Sequence, residues 1–145
     1  MKYRLLIVLL LVMGACMVFM SMDGKKLKLK GTKWQYVEKM FVADAGTETT
    51  TYTLEFTTDK DVVKTRRTYM PPHPAMYMDA NGQVPTQPGW ESSSSKKGTY
   101  RVKRNVVSVT LEDGFTEMYD YKDGNLVSWR KSLDGENMTF SPFQE

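Results

Sequence analysis

The chain has 145 residues, with 20 lysines and arginines against 17 acidic residues, and 41% of its residues are hydrophobic. This near balance of charge argues against the basic surface that nucleic-acid binding needs, so we expect no nucleic-acid partner. Cys16 is the only cysteine, which excludes an intrachain disulfide. His73 is the only histidine, which excludes nearly all histidine-based metal sites and catalytic triads.

The first 15 residues have the three-part pattern of an export signal. Lys2 and Arg4 give a positively charged start, an apolar run extends from Leu5 to Val12, and the small pair Gly14-Ala15 follows. We therefore expect residues 1–15 to be a signal peptide that is removed on export. Because Lys2 and Arg4 are lost with it, 18 basic residues then face 17 acidic ones, and the exported chain is close to neutral.

Cys16 directly follows that small pair and gives the signal a second feature. A cysteine after two small residues resembles the bacterial lipobox, in which the cysteine receives a diacylglycerol and becomes the new N-terminus. The resemblance implies lipid attachment at Cys16, and a polar, basic tether over residues 16–30. We expect an exported bacterial lipoprotein anchored in a membrane, at the outer membrane or the periplasmic face. The alternative is a secreted protein cleaved at an ordinary signal site.

From Trp34 onward, apolar and polar residues alternate in short runs that predict β-strands. Turn-forming pairs such as Asp113-Gly114 and Asp123-Gly124 separate the runs and suit hairpins. Strands are predicted at residues 34–41, 52–57, 62–69, 99–103, 106–111, 115–121, 126–131 and 137–140. About one strand every ten residues is typical of an antiparallel barrel or sandwich. We expect an all-β domain over residues 31–145, an antiparallel up-and-down barrel of about eight strands. The alternative is a two-sheet β-sandwich.

The segment from Met70 to Lys97 breaks this rhythm. It holds five of the six prolines and ends in the serine run Ser92–Ser95. Because proline cannot donate a hydrogen bond to a central strand ladder, we expect a long loop at about residues 70–97. Within it, residues 75–78 and 83–84 flank Asp79-Ala80-Asn81-Gly82 and could form a small hairpin.

Three motifs together suggest a family. Gly31-Thr32-Lys33-Trp34 places a glycine shortly before the tryptophan of the first strand. Gly98-Thr99-Tyr100 begins a strand that a tight turn joins to the alternating valines of Val106–Thr110. With Asp123-Gly124-Asn125-Leu126, these motifs resemble the lipocalin-like domains of bacterial lipoproteins, over roughly residues 31–140. The resemblance implies a closed or nearly closed barrel and, where that barrel is hollow, an apolar cavity. Such domains often have no assigned activity.

Barrels of about eight strands are wide enough to hold one small ligand. Aromatic residues at inward strand positions are the candidates to line such a site: Trp34, Tyr36, Tyr52, Phe56, Tyr119, Trp129 and Phe140. The same residues would equally make a solid core, and periodicity does not separate a filled barrel from a hollow one. A small apolar or amphipathic molecule is therefore one predicted partner.

The proline-rich loop is apolar for a surface segment. Large side chains of the kind enriched at protein contacts lie along it: Tyr69, Met76, Tyr77 and Trp90. They either contact another protein of the cell envelope or fold back as a lid over the barrel mouth.

The same loop contains thioethers and an imidazole, soft ligands suited to Cu(I) or Ag(I): Met70, His73, Met76 and Met78. Methionine is common throughout this chain and fills gaps between aromatic rings, so we expect no metal and no cofactor.

No residue set for catalysis is visible in the sequence. The carboxylates fall mostly at turns, where they serve backbone geometry, and no nucleophile–base pair can be identified. We expect a non-catalytic exported lipoprotein that binds a small apolar or amphipathic ligand in its barrel. The alternative is a structural or protein-interaction module of the envelope that acts through the Met70–Trp90 loop.

Overall fold

A computed structural model describes residues 27–143 of the chain. The strands of this part are β1 (Thr32–Val42), β2 (Gly46–Phe56), β3 (Asp61–Met70), β4 (His73–Pro74), β5 (Thr86–Gln87), β6 (Trp90–Lys103), β7 (Val106–Leu111), β8 (Thr116–Lys122), β9 (Asn125–Lys131) and β10 (Asn137–Pro142). Eight of them close into one antiparallel barrel in the order β1-β10-β9-β8-β7-β6-β3-β2, while β4 and β5 pair separately. The predicted all-β, up-and-down barrel of about eight strands is confirmed, and the alternative of a two-sheet sandwich is not adopted.

The predicted signal peptide, Cys16 and the first part of the predicted tether lie outside the described residues. Within residues 27–143, no helix is long and apolar enough to cross a membrane.

The β8–β9 turn illustrates how the local sequence sets the strand pairing. Lys122 pairs with Asn125, so Asp123 and Gly124 alone make the turn. Both have positive φ, 52° for Asp123 and 80° for Gly124. Two-residue turns of this kind match the twist of antiparallel strands, and glycine and aspartate tolerate the conformation better than most residues.

The barrel interior is solid at the end where the described chain begins. Leu29 lies buried across this end, and the backbone N–H of Thr32 donates to its carbonyl over 2.9 Å. Above it, ring centroids are 4.7 Å apart for Phe56 and Tyr100, in an edge-to-face arrangement. The buried core consists of Leu29, Trp34, Leu54, Phe56, Val62, Tyr100, Val107, Val109, Leu111, Tyr119, Leu126, Met138 and Phe140. This half of the barrel is therefore a packed core.

Gly98 lets β6 pass close to β7 at the top of this core. A Cβ at this position would lie 2.5 Å from the carbonyl oxygen of Thr110 and 3.1 Å from the Cα of Leu111. Because both are backbone atoms, no side-chain rotation would make room. The glycine of the Gly-Thr-Tyr motif is thus required by packing.

Four neighbouring strands are longer than the other four. β1, β2, β3 and β6 have 11, 11, 10 and 14 residues, whereas β7, β8, β9 and β10 have 6, 7, 7 and 6. β6 pairs with β3 from Trp90 to Thr99, but with β7 only from Gly98 onward. The upper halves of the four long strands form what we call the tall wall, which rises above one side of a short closed ring.

The prediction of a long loop at about residues 70–97 is wrong in part. β3 continues to Met70 and β6 begins at Trp90, so the serine run lies in a strand. The serines were misassigned because Ser92–Ser95 are exposed on both faces and show no apolar alternation. One neighbouring strand, β3, supplies the pairing that makes this stretch extended.

The small hairpin predicted inside this segment is present. Its ladder residues are His73–Pro74 and Thr86–Gln87 rather than residues 75–78 and 83–84. Beyond the ladder, the backbone N–H of Ala75 donates to the carbonyl of Pro85 over 2.7 Å. This proline hairpin (residues 71–89) extends the β3–β6 hairpin past the tall wall.

Candidate functional site

An open cleft of about 1200 Å³ lies above the packed core, between the tall wall and the upper ends of β7, β8 and β9. It is lined by Tyr52, Lys64, Arg66, Ser94, Lys96, Leu111, Asp113, Gly114, Phe115, Thr116, Glu117, Met118, Ser128, Trp129 and Arg130. Strand alternation explains the charged part of this lining. Lys64 and Arg66 share one face of β3 with the buried residues Val62 and Thr68, so they point into the barrel.

A buried ion pair forms the floor of the cleft. Lys64 Nζ lies 2.5 Å from Glu117 Oε1, and the two side chains are only 11% and 6% exposed. The Tyr119 hydroxyl donates to Glu117 Oε2 over 2.7 Å. Burial raises the pKa of Tyr119 well above its ordinary value, and the charge of Glu117 raises it further, so the hydroxyl stays protonated.

This ion pair crosses the barrel interior from β3 to β8, which are separated in the ring by β6 and β7. Removing two charges from water is costly, and a buried pair often stabilises a fold less than apolar residues of similar size would. The pair is therefore weak evidence of a stability role, and it gives the floor of the cleft a polar character.

The cleft carries more positive than negative charge. Four cations and two carboxylates line it, which leaves two net positive charges. Lys96 is paired with Asp113 at 2.5 Å, as Lys64 is with Glu117. Within residues 27–143, neither Arg66 nor Arg130 has a carboxylate partner. The guanidinium carbon of Arg66 lies 5.9 Å from the centre of the Tyr52 ring.

Hydroxyl groups follow on the tall wall above the cations. The hydroxyls of Thr50 and Thr68 are 3.1 Å apart and buried. Thr68 pairs in register with Ser92, and Arg66 with Ser94. A smaller hollow continues upward from the cleft and ends at Trp90. On β3 and β6 the inner face thus passes from charged to hydroxylic residues and ends at Met70 and Trp90, while Glu48 of β2 lines the same upper hollow.

The seven aromatic residues predicted to line a ligand site are divided by the structure. Trp34, Phe56, Tyr119 and Phe140 belong to the packed core. Tyr36 and Tyr52 are partly buried and stack with ring centroids 6.1 Å apart, and Tyr52 lines the cleft. Trp129 lies at the cleft rim, 58% exposed, and its Nε1–H donates to Asp120 over 3.0 Å.

The charged residues of the cleft were not among the predicted site residues. They are Lys64, Arg66, Lys96, Asp113, Glu117 and Arg130. The alternation in the predicted strand at residues 62–69 could have found two of them, because Lys64 and Arg66 fall on the same face as Val62. A search limited to aromatic residues passes over charged residues at inward positions.

The residues predicted to make loop contacts are exposed at the upper end of the tall wall and on the proline hairpin beyond it. Tyr69 and Trp90 are each 46% exposed, Met76 is 85% exposed and Tyr77 is 60% exposed. Met76, Tyr77, Met78 and Val84 lie together around a shallow hollow that also includes Asp44 of the β1–β2 turn. We call these four residues the apolar tip.

The four weak metal candidates are not brought together as one set of ligands. Met70 is buried, whereas Met76 and Met78 are exposed at the apolar tip. His73 Nδ1 lies 3.0 Å from the carbonyl oxygen of Pro71, to which it donates. Within the described residues, no group of three His, Cys, Asp or Glu side chains is placed to bind a metal.

Comparison of the chain with protein-family models, with curated proteins and with solved structures finds no match.

Proposed function

We propose that this chain is a non-catalytic binding protein whose cleft takes a small amphipathic ligand. The observation that carries the proposal is the open cleft of about 1200 Å³ that sits on a solid core. Ligand sites in proteins are concave and combine apolar surface with a few placed polar groups. In the cleft, Leu111 and Phe115 offer apolar surface, and the cations and Ser94 offer polar groups.

The charged groups of the cleft favour binding over catalysis. General acid–base chemistry needs a group whose pKa lies near the working pH. Lys64 and Glu117 neutralise each other, and the pKa of Tyr119 is raised far from neutrality. A guanidinium group offers five N–H donors in a planar fork, so Arg66 and Arg130 suit recognition of a ligand better than proton transfer.

We further propose that the barrel is a lipocalin-like domain of an exported lipoprotein, anchored through Cys16 at the outer membrane or the periplasmic face. The closed eight-stranded barrel and the Gly31–Trp34 motif support the first part, and the export pattern before Cys16 supports the second. Fractionation of a Cys16→Ser variant tests the anchor, because this variant should leave the membrane fraction with its barrel folded. Retention in that fraction would contradict lipid attachment.

The binding proposal is tested by native mass spectrometry of the full chain extracted from its membranes. The wild type should carry a small molecule, and Ser94→Phe should lose it because the ring occupies the cleft. Ser95→Phe is the matched control: Ser95 is on the outer face, where its hydroxyl is 2.9 Å from that of Thr65. Wild-type protein with no bound molecule, or equal loss in both variants, would contradict the proposal.

A second candidate function is supported by the apolar tip. Four large apolar side chains exposed together on a hairpin are unusual for a surface with no partner. An envelope module would use this tip to contact another protein. Cross-linking in intact cells should then capture a defined partner that Met76→Ser/Met78→Ser loses while cleft binding is unchanged. An identical cross-linking pattern in this variant would exclude the candidate.

A further inference from the structure

We propose that the ligand of the cleft is an anion on an apolar body, with its carboxylate, sulfate or phosphate held by Arg66 and Arg130. This inference rests on the proposed function and assigns the chemical class of the ligand. It starts from the pairing of charges in the cleft, where, among residues 27–143, two of the four cations have a carboxylate partner and these two arginines do not.

Glu117, the carboxylate at the floor of the cleft, already accepts two hydrogen bonds. Its Oε1 accepts from Lys64 and its Oε2 accepts from the Tyr119 hydroxyl. Since Tyr119 pairs in register with Ser128, Arg130 emerges beside Glu117 on the neighbouring strand. Arg130 is therefore next to a carboxylate whose two oxygens are each engaged by another residue.

Arg66 stands on the opposite side of the same ion pair. It follows Lys64 by two residues on β3, so it points into the cleft one step higher on the tall wall. Tyr52, its register partner on β2, offers the ring beside which the guanidinium lies. An arginine that rests against an aromatic face keeps its N–H groups free for a planar anion.

The next residue of β3 is an internal comparison. Arg67 points to the outer face and forms a two-point ion pair with Glu91, with distances of 2.7 and 3.0 Å. The outward arginine thus has a carboxylate at ion-pair distance, whereas among residues 27–143 the inward arginine has none that close, and Glu48 lines the hollow above it. A guanidinium and a bound anion match in geometry and charge, and such pairs are stronger than neutral hydrogen bonds.

The remaining lining specifies the rest of the ligand. Leu111 and Phe115 lie at the β7–β8 end of the cleft and Trp129 lies at its rim, so an apolar body can lie against them while the anionic group meets the arginines. A neutral molecule of the same shape would leave both guanidinium groups without a partner. The cleft should therefore select by charge first and by shape second.

The test compares two probes of the same shape, 2-naphthoate and the neutral 2-naphthamide. Each is titrated calorimetrically into the full chain in nonionic detergent, with empty micelles as the blank. The wild type should bind the carboxylate roughly tenfold or more tightly than the amide, as a charge-assisted hydrogen-bond pair implies. Arg66→Gln and Arg130→Gln should each remove most of this preference, measured as the ratio of the two dissociation constants.

Arg67→Gln is the matched control and should keep the full preference. Amide binding also reports that each variant retains a folded cleft. Equal binding of the two probes, both lost in Ser94→Phe, would overturn the anion assignment and leave the proposed function standing. If the wild type bound neither probe and carried no molecule in native mass spectrometry, both would be wrong.

An anion on an apolar body could be a free acid or the headgroup of an anionic lipid. We assign it to the free acid because the cleft is bounded on one side by the tall wall and on the other by the upper ends of β7, β8 and β9. Phosphatidylglycerol added to the micelles should not displace naphthoate, whereas free dodecanoate should. Displacement by the phospholipid alone would overturn the assignment to a free small molecule.

Discussion

The two halves of the barrel interior differ in chemistry although continuous strands build both. Along β3, the inward residues pass from Val62 in the packed core to Lys64 and Arg66 in the cleft. The change falls where β7 ends at Leu111, because Val62 is in the row of Gly98 and Leu111. Below this height eight strands exclude water, and above it the tall wall faces an opening. The change from Val62 to Lys64 and Arg66 therefore coincides with the end of the closed ring.

The largest loss of stability should come from removing a large side chain from the packed core. Phe56 is fully buried against Tyr100, so Phe56→Ala should lower the free energy of unfolding by about 3–5 kcal/mol. Tyr52→Ala, in the open half on the same strand, should cost only about 1 kcal/mol. Urea denaturation of the two variants measures the difference. Equal losses would mean that the cleft half is packed as tightly as the core.

A smaller effect should follow at the boundary between the halves. Glu117→Gln leaves the Lys64 charge without its partner, and the free energy of unfolding should fall by about 2 kcal/mol. The loss stays below that of a fully enclosed pair because water can enter the open cleft. The double variant Lys64→Met/Glu117→Leu should recover most of it. A double variant less stable than Glu117→Gln would show that the pair itself is net stabilising.

The smallest effect concerns ion pairs of the exposed surface and depends on pH. The hydrogen bond from Arg67 lowers the pKa of Glu91, and the hydrogen bond from Lys96 lowers the pKa of Asp113. A carboxyl group whose pKa is lowered in the folded state stabilises the fold at pH values above its pKa in the unfolded chain, roughly 4. This contribution is lost as the pH falls through the folded-state pKa. Because these groups are exposed and screened by salt, the loss should be slight.

This pH effect is measured as the urea midpoint of the wild type and of Glu91→Gln/Asp113→Asn. The two midpoints should differ slightly at neutral pH and converge in acid. A gap that widens as the pH falls would reverse the sign assigned to these pairs.

Much of the fold could be predicted because the pairing of two strands in a hairpin is set by the residues of the strands and of the turn between them. Val106–Leu111 was predicted with the bounds that the structure has, since an alternating valine run ends in turns on both sides. The stretch Ser92–Ser95 could not be predicted, because its extended form comes from pairing with β3 rather than from its own pattern. The pairing of β1 with β10, which closes the barrel, likewise joins residues far apart in the sequence: Trp34 with Pro142 and Gln35 with Ser141.

The candidate site was less predictable than the fold. Alternation indicates that Trp34 and Tyr52 both point inward, but it does not give their height in the barrel. That height follows from the unequal strand lengths, which place Trp34 in the core and Tyr52 in the cleft. Trp129 lies at the rim of the cleft because it is on the outer face of β9.

The upper half of β6 has a consequence for motion. From Glu91 to Lys96 its backbone pairs with β3 alone, and the ion pair of Lys96 with Asp113 links this stretch to the β7–β8 turn. Its amide protons should exchange with solvent faster than those of β7, since an edge opens without unfolding the ring. Opening of this edge breaks the Lys96–Asp113 ion pair but none of the ladder pairs within the short ring. The edge can therefore exchange its amide protons while the packed core below it stays closed.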